Sequence, residues 1–78
     1  MHNVTIYSTT YCPWCVKAKE YFKSKNVPYT EFNVQEDESK AQEMVDKSGQ
    51  TGVPVIDIDG KIIIGFNRPA IDAALSSQ

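Results

Sequence analysis

Both cysteines of the chain fall in one tetrapeptide, Cys12-Pro13-Trp14-Cys15. Two thiols at this spacing serve either thiol–disulfide exchange or metal binding, and the two uses make different demands on the rest of a sequence. A structural zinc site takes four ligands, and this chain offers one histidine, His2, and no second cysteine pair. A lone terminal histidine is most simply a solvated side chain, so a metal would have to be shared between two chains. No metal-ligating residue is assigned. Exchange needs only a thiolate and a second thiol within reach, and it is the favoured chemistry.

The tetrapeptide follows a short apolar, β-like run and opens a segment of helical pattern. Pro13 suits the first helical position, where its missing N–H would have had no partner. A helix start presents unpaired N–H groups and the positive end of the peptide dipoles to an anion at Cys12. Lys17 and Lys19 add positive charge in the next turn. Cys12 is therefore expected to be exposed and acidified, and to be the attacking thiolate. Cys15, one turn on, is expected to face the protein body and to resolve a mixed disulfide. Trp14 between them either shapes the docking of a partner or covers the first helical turn.

The surrounding elements must hold these groups. Asn3 to Tyr7 alternates as a strand, expected to be central, and Ser8 to Tyr11 reads as a polar loop. From Pro13, residues Val16, Ala18, Tyr21, Phe22 and Lys25 fit a helix that Asn26-Val27-Pro28 ends. Tyr29 to Val34 alternates again, and a crossover helix between two strands predicts that they run parallel. Ser39 to Lys47 is a second amphipathic helix, with Gly49 as its C-cap. Val53 to Ile58 is a third strand, Asp59-Gly60 a hairpin turn, and Lys61 to Ile64 an antiparallel return. After the Gly65 to Arg68 turn, Pro69 begins a last helix with Ile71, Ala74 and Leu75 inward. The order is β-α-β-α-β-β-α, an α/β domain spanning residues 1–78.

Pro54 is unusual this early in a buried strand, because it removes a ladder donor. Two readings stand: an edge proline without a role, or a cis bond or open edge that accepts an extended peptide beside the cysteines. Gly65-Phe66 is either a plain turn or a second helix start near the sulfurs.

A net charge of −2 argues against nucleic acid as a partner. No apolar run approaches the roughly 18 residues of a membrane span. Met1-His2-Asn3-Val4 lacks the basic and apolar regions of a signal peptide, so a cytoplasmic protein is expected. In that compartment a structural disulfide would be held open, which makes the C-x-x-C a working pair.

Taken with their spacing, these residues resemble a glutaredoxin, and more narrowly the short glutaredoxin-like proteins and NrdH-type redoxins. Tyr7-Ser8, Cys12-Pro-Trp-Cys15, Thr51-Gly52-Val53-Pro54 and Gly65-Phe66 stand where that family has its motifs, over the full length of the chain. The resemblance implies a thioredoxin fold, a four-stranded mixed sheet flanked by three helices. It implies Cys12 as nucleophile, Cys15 as resolving thiol, a cis Pro54, and a Val53 backbone that pairs with the substrate's cysteine residue. Tyr11, Trp14, Lys19, Val53, Pro54, Gly65, Phe66 and Asn67 become the substrate-binding set. No bound cofactor is implied, and glutathione is a candidate co-substrate lying between Cys12, Val53 and the Gly65 turn.

Departures from the family pattern concern the partner. Thr9 stands where many glutaredoxins have a lysine, Phe66 where they have a second glycine, and Arg68 about where they have an acid. That turn is closer to the NrdH-type pattern, whose members take electrons from thioredoxin reductase. Lys19 matches a lysine common in the first helix of dithiol glutaredoxins. The expected partners are thus disulfide-bearing proteins, with glutathione or a flavoprotein disulfide reductase as reductant, and a monomer as the working form. From other classes stand a carrier of an iron–sulfur cluster and a non-catalytic docking module.

Overall fold

The computed structural model describes residues 3–76 of the chain, so His2 lies outside the described residues. Four strands and three helices follow in the order β1 (Val4–Ser8), α1 (Pro13–Ser24), β2 (Thr30–Asn33), α2 (Glu38–Ser48), β3 (Val55–Ile58), β4 (Lys61–Ile64) and α3 (Arg68–Ser76). The sheet order is β2-β1-β3-β4, which puts β1 in the centre as its alternation predicts. β1 runs parallel to β2 across the α1 crossover and antiparallel to β3, and β3 turns back antiparallel into β4. No helix of the described residues is long and apolar enough to cross a membrane.

Strand alternation sorts the side chains onto two faces. Val4 and Ile6 of β1, with Ile56 and Ile58 of β3 and Ile63 of β4, are buried against Ala18 and Phe22 of α1 and Ile71 and Ala74 of α3. On the other face Tyr7 and Val55 are buried with Met44 of α2. Ile6 stands opposite Ile56 and Tyr7 opposite Val55, so the register keeps the two cores separate.

The second face also holds a polar network. The Tyr7 hydroxyl donates to Glu43 of α2 and accepts from Lys47 at 3.0 Å. Lys47 in turn donates to Asp57 of β3 at 2.9 Å. Burial raises the Tyr7 pKa, while the Tyr7 hydroxyl lowers that of Glu43 and, together with Asp57, raises that of Lys47.

Local chemistry places the element ends. Asp59 and Gly60 take φ of +53° and +92°, the left-handed pair of a two-residue hairpin turn. Gly49 caps α2 at φ +76°, and Asp37 caps its start by accepting the Lys40 N–H. Most element ends shift by a residue or two from the sequence reading, and three of the shifts bear on the site. Ser8 is the last residue of β1 and 1% exposed. Its hydroxyl donates to Glu31 at 2.6 Å, which compensates its burial. β3 begins at Val55, after Pro54. α3 begins at Arg68, because Asn67 accepts the Ala70 N–H at 3.3 Å and caps it.

One helix face is also corrected. Val16 is 47% exposed, and the stripe that α1 buries is Cys15, Ala18 and Phe22. Cysteine packs as a small apolar group, so Cys15 takes the place the aliphatic pattern gives Val16, while Ala18 and Phe22 keep theirs.

Candidate active site

Strand β1 carries the chain to Ser8, and a short loop delivers Cys12 to the start of α1. Cys12 is the N-cap residue, extended at φ −145° and ψ 95°. Its Sγ accepts the Cys15 N–H at 3.2 Å, and its carbonyl accepts the Val16 N–H at 3.1 Å. A sulfur in this position occupies the site that a capping oxygen ordinarily fills, at the positive end of the helix. The first turn of α1 contains no acidic residue to offset that field.

The two sulfurs are joined as a disulfide with the Cα atoms 5.2 Å apart. Cys15 is 1% exposed, as expected for a residue facing the body of the protein. Cys12 is half-buried rather than fully exposed, the Cys15 sulfur and the helix start covering one side of it.

The two lysines of α1 that follow the cysteines each have a partner of their own. Lys17 rests its ammonium 5.4 Å from the centre of the Trp14 ring. Lys19 donates to Glu31 of β2 at 2.9 Å, sharing the carboxylate oxygen that also accepts from Ser8. The Ser8 hydroxyl and then Lys19 hold the Glu31 carboxyl below its ordinary pKa of 4.5.

The sign of that shift fixes a pH dependence. A carboxyl whose folded pKa is depressed contributes stability above its unfolded value and loses it as pH falls through the folded one. Glu31→Gln is thus expected to unfold more easily than the unmodified chain at neutral pH. The gap should close below about pH 4.5. Denaturant midpoints across the acid range check this, and a gap that stays constant with pH would remove Glu31 from the acid limb.

A second group of residues converges on one cleft of about 260 Å³, lined by Trp14, Val53, Pro54, Gly65 and Phe66. The Val53–Pro54 bond is cis, as the family resemblance implies. The Pro54 carbonyl accepts the Gly65 N–H at 2.9 Å, tying the β3 entry to the β4 exit. Gly65 has φ +77°, which favours glycine at the point where the chain leaves β4 for α3. Among the described residues no backbone hydrogen bond involves the N–H or C=O of Val53. The Trp14 and Phe66 rings form the aromatic wall, 6.5 Å apart at 37°.

Five of the residues singled out in sequence are therefore brought together in this cleft. Trp14 is 58% exposed and belongs to both groups, in the helix turn of the cysteines and in the cleft wall. The other three stand apart. Tyr11 is 90% exposed and outside the lining, Lys19 is held by Glu31, and the Asn67 side chain caps α3. Sequence reasoning missed Glu31 and Tyr21. Tyr21 places its ring 5.7 Å from Phe66 and its hydroxyl on Asp72 of α3. A larger hollow, lined by Lys25, Val27, Asp72, Leu75 and Ser76, lies at the far end of α1 from the cysteines.

The family model for glutaredoxin matches residues 4–63. An uncharacterized glutaredoxin-like 8.6 kDa protein in the rubredoxin operon of Clostridium pasteurianum is 55% identical over 69 residues, covering 88% of this chain and 92% of that one. Glutaredoxin 3 of Escherichia coli K12 is 42% identical over 65 residues, covering 83% of this chain and 78% of its own. A crystal structure of a variant thioredoxin-like protein superposes over 100% of both chains, with a TM-score of 0.90 and 29% identity. The sheet order, the three helices and this superposition make the fold that of thioredoxin.

Proposed function

This chain belongs to the glutaredoxin family, and we propose that Cys12 and Cys15 make it a dithiol oxidoreductase of protein disulfides and glutathione mixed disulfides. The observation that carries the reading is the Cys12 Sγ at the cap of α1, accepting a helix N–H and reachable from solvent, with Cys15 buried beside it. In the reduced chain the same N–H favours the thiolate at Cys12.

The Cys12 thiolate attacks one sulfur of the substrate disulfide. That S–S bond breaks, one substrate thiolate leaves, and Cys12 is held in a mixed disulfide. Cys15, deprotonated, then attacks the Cys12 sulfur and releases the second substrate thiol. The pair has given up two electrons and closes to the Cys12–Cys15 disulfide, the form seen here. The substrate's extended backbone runs along Val53, whose free N–H and C=O are suited to pair with it. Electrons pass through the two sulfurs alone, without a bound cofactor. The cycle needs a supply of reductant, which fits the cytoplasm, and the chain carries both thiols it needs as a monomer.

Glutathione or a flavoprotein reductase returns the pair to the dithiol. Two observations favour the flavoprotein. Phe66 fills the cleft wall where the family pattern has glycine, and Lys19 is engaged by Glu31. Turnover of a protein disulfide and of a glutathione mixed disulfide, each with thioredoxin reductase and with glutathione in turn, tests the assignment. Faster turnover with thioredoxin reductase is expected. Faster turnover with glutathione assigns that reductant instead, and no reduction under either system overturns the oxidoreductase reading.

A further inference from the structure

Tyr21 stands two turns after Trp14 on α1, so the two side chains share one side of the helix. The Phe66 ring rests against both, tilted at 6.5 Å from Trp14 and edge-on at 5.7 Å from Tyr21. Tyr21 is bound to α3 at two successive turns. The Arg68 guanidinium lies 4.8 Å from the centre of its ring, and its hydroxyl donates to Asp72. The backbone around Phe66 is pinned, before it by the Gly65 N–H on the Pro54 carbonyl and after it by the Asn67 cap of α3, so what places the ring is its side-chain contacts. Phe66 also packs against the buried core cluster of α1, α3 and the sheet, and Tyr21 is the ring that meets it from outside the cleft lining.

We propose that Tyr21, anchored by Asp72, is a positioning residue that shapes the Trp14–Phe66 wall to receive a bulky apolar side chain next to the cysteine of a polypeptide disulfide. The proposal rests on the oxidoreductase reading of Cys12 and Cys15 and concerns substrate choice alone. Tyr21 does not line the cleft and does not touch the sulfurs. A disulfide too small to reach the wall should be indifferent to it. An extended peptide whose apolar side chain lies against the Trp14 and Phe66 rings should lose affinity when Phe66 is no longer backed.

The test uses the pre-reduced chain in single turnover against two probes. One is a cysteine peptide disulfide with leucine beside the cysteine, and the other is bis(2-hydroxyethyl) disulfide. With Tyr21→Leu, the half-saturating peptide concentration is expected to rise about tenfold. The limiting rate and the rate with the small disulfide should stay within about twofold, a split that general loosening of the fold would not give. Tyr21→Phe keeps the ring and loses only the Asp72 bond, and should give a rise of about threefold. It decides the matter if Tyr21→Leu does not fold. An unchanged half-saturating concentration, or an equal loss with both probes, overturns the role of Tyr21. An unmodified chain that reduces neither probe overturns instead the oxidoreductase reading, and this proposal with it.

Discussion

Cys12→Ser will lower disulfide turnover by about three orders of magnitude or more, whereas Cys15→Ser, with no external thiol added, will attack once and stop. The asymmetry follows from where the two sulfurs sit. Cys12 is partly exposed and its Sγ accepts a helix N–H, while Cys15 is 1% exposed. An external disulfide can therefore reach only Cys12, and a serine hydroxyl there does not ionise at neutral pH. In Cys15→Ser the mixed disulfide at Cys12 has no internal thiol to displace it. Mass spectrometry of the acid-quenched variant should show the chain enlarged by half of the substrate. The reduced unmodified chain adds a second check, since the ultraviolet absorbance of the thiolate should titrate below the ordinary thiol value of about 8.5. Full turnover by Cys12→Ser, or a Cys12 titration at or above that value, would sink the assignment of the nucleophile.

The reactive pair was legible because its signals are local. Cys12, Pro13 and Cys15 lie within one helical turn, and a proline at the first helical position fixes where that turn begins. Asp59-Gly60 is equally local, two residues whose left-handed φ values define the hairpin. Alternation gave β1 and its central place, and the crossover rule gave its parallel pairing with β2. Periodicity assigns a residue to a face and leaves its partner on another element undetermined. Lys19 meets Glu31 on β2, Tyr7 meets Glu43 on α2, and Tyr21 meets Asp72 on α3, each across a long stretch of chain. Those pairings decide that Lys19 is occupied and that Phe66 is backed. Val16 illustrates a different limit. Aliphatic character alone puts Val16 beside Ala18 and Phe22 on the inner face, whereas Cys15, whose inward direction follows from its role as resolving thiol, holds that place. The isomer of Pro54 was left between readings by the residues alone and was supplied by the family resemblance.

Phe22→Ala should cost about 3–5 kcal/mol, most of the stability a domain of this size can hold. Phe22 is completely buried among the aliphatic side chains of β1, β3 and α3 and pairs its ring with Tyr29 at 6.2 Å. A chain of 78 residues has little other core to compensate the cavity. Tyr7→Phe makes the informative contrast. It keeps an equally buried ring and deletes one hydroxyl, leaving Lys47 on Asp57 and Glu43 beside Lys40 and Lys47. Both charged groups also reach water, so that loss should be about 1 kcal/mol. Urea unfolding of the two variants separates the contributions, and equal losses would mean that the polar network rather than the apolar face holds the sheet. Phe22 also lies on the same stripe of α1 as Cys15 and Ala18. The contact that seats α1, and therefore the contact that keeps Cys15 behind Cys12, is apolar. Activity of Phe22→Ala should accordingly fall with the folded fraction, while the molecules that remain folded still exchange disulfides through Cys12.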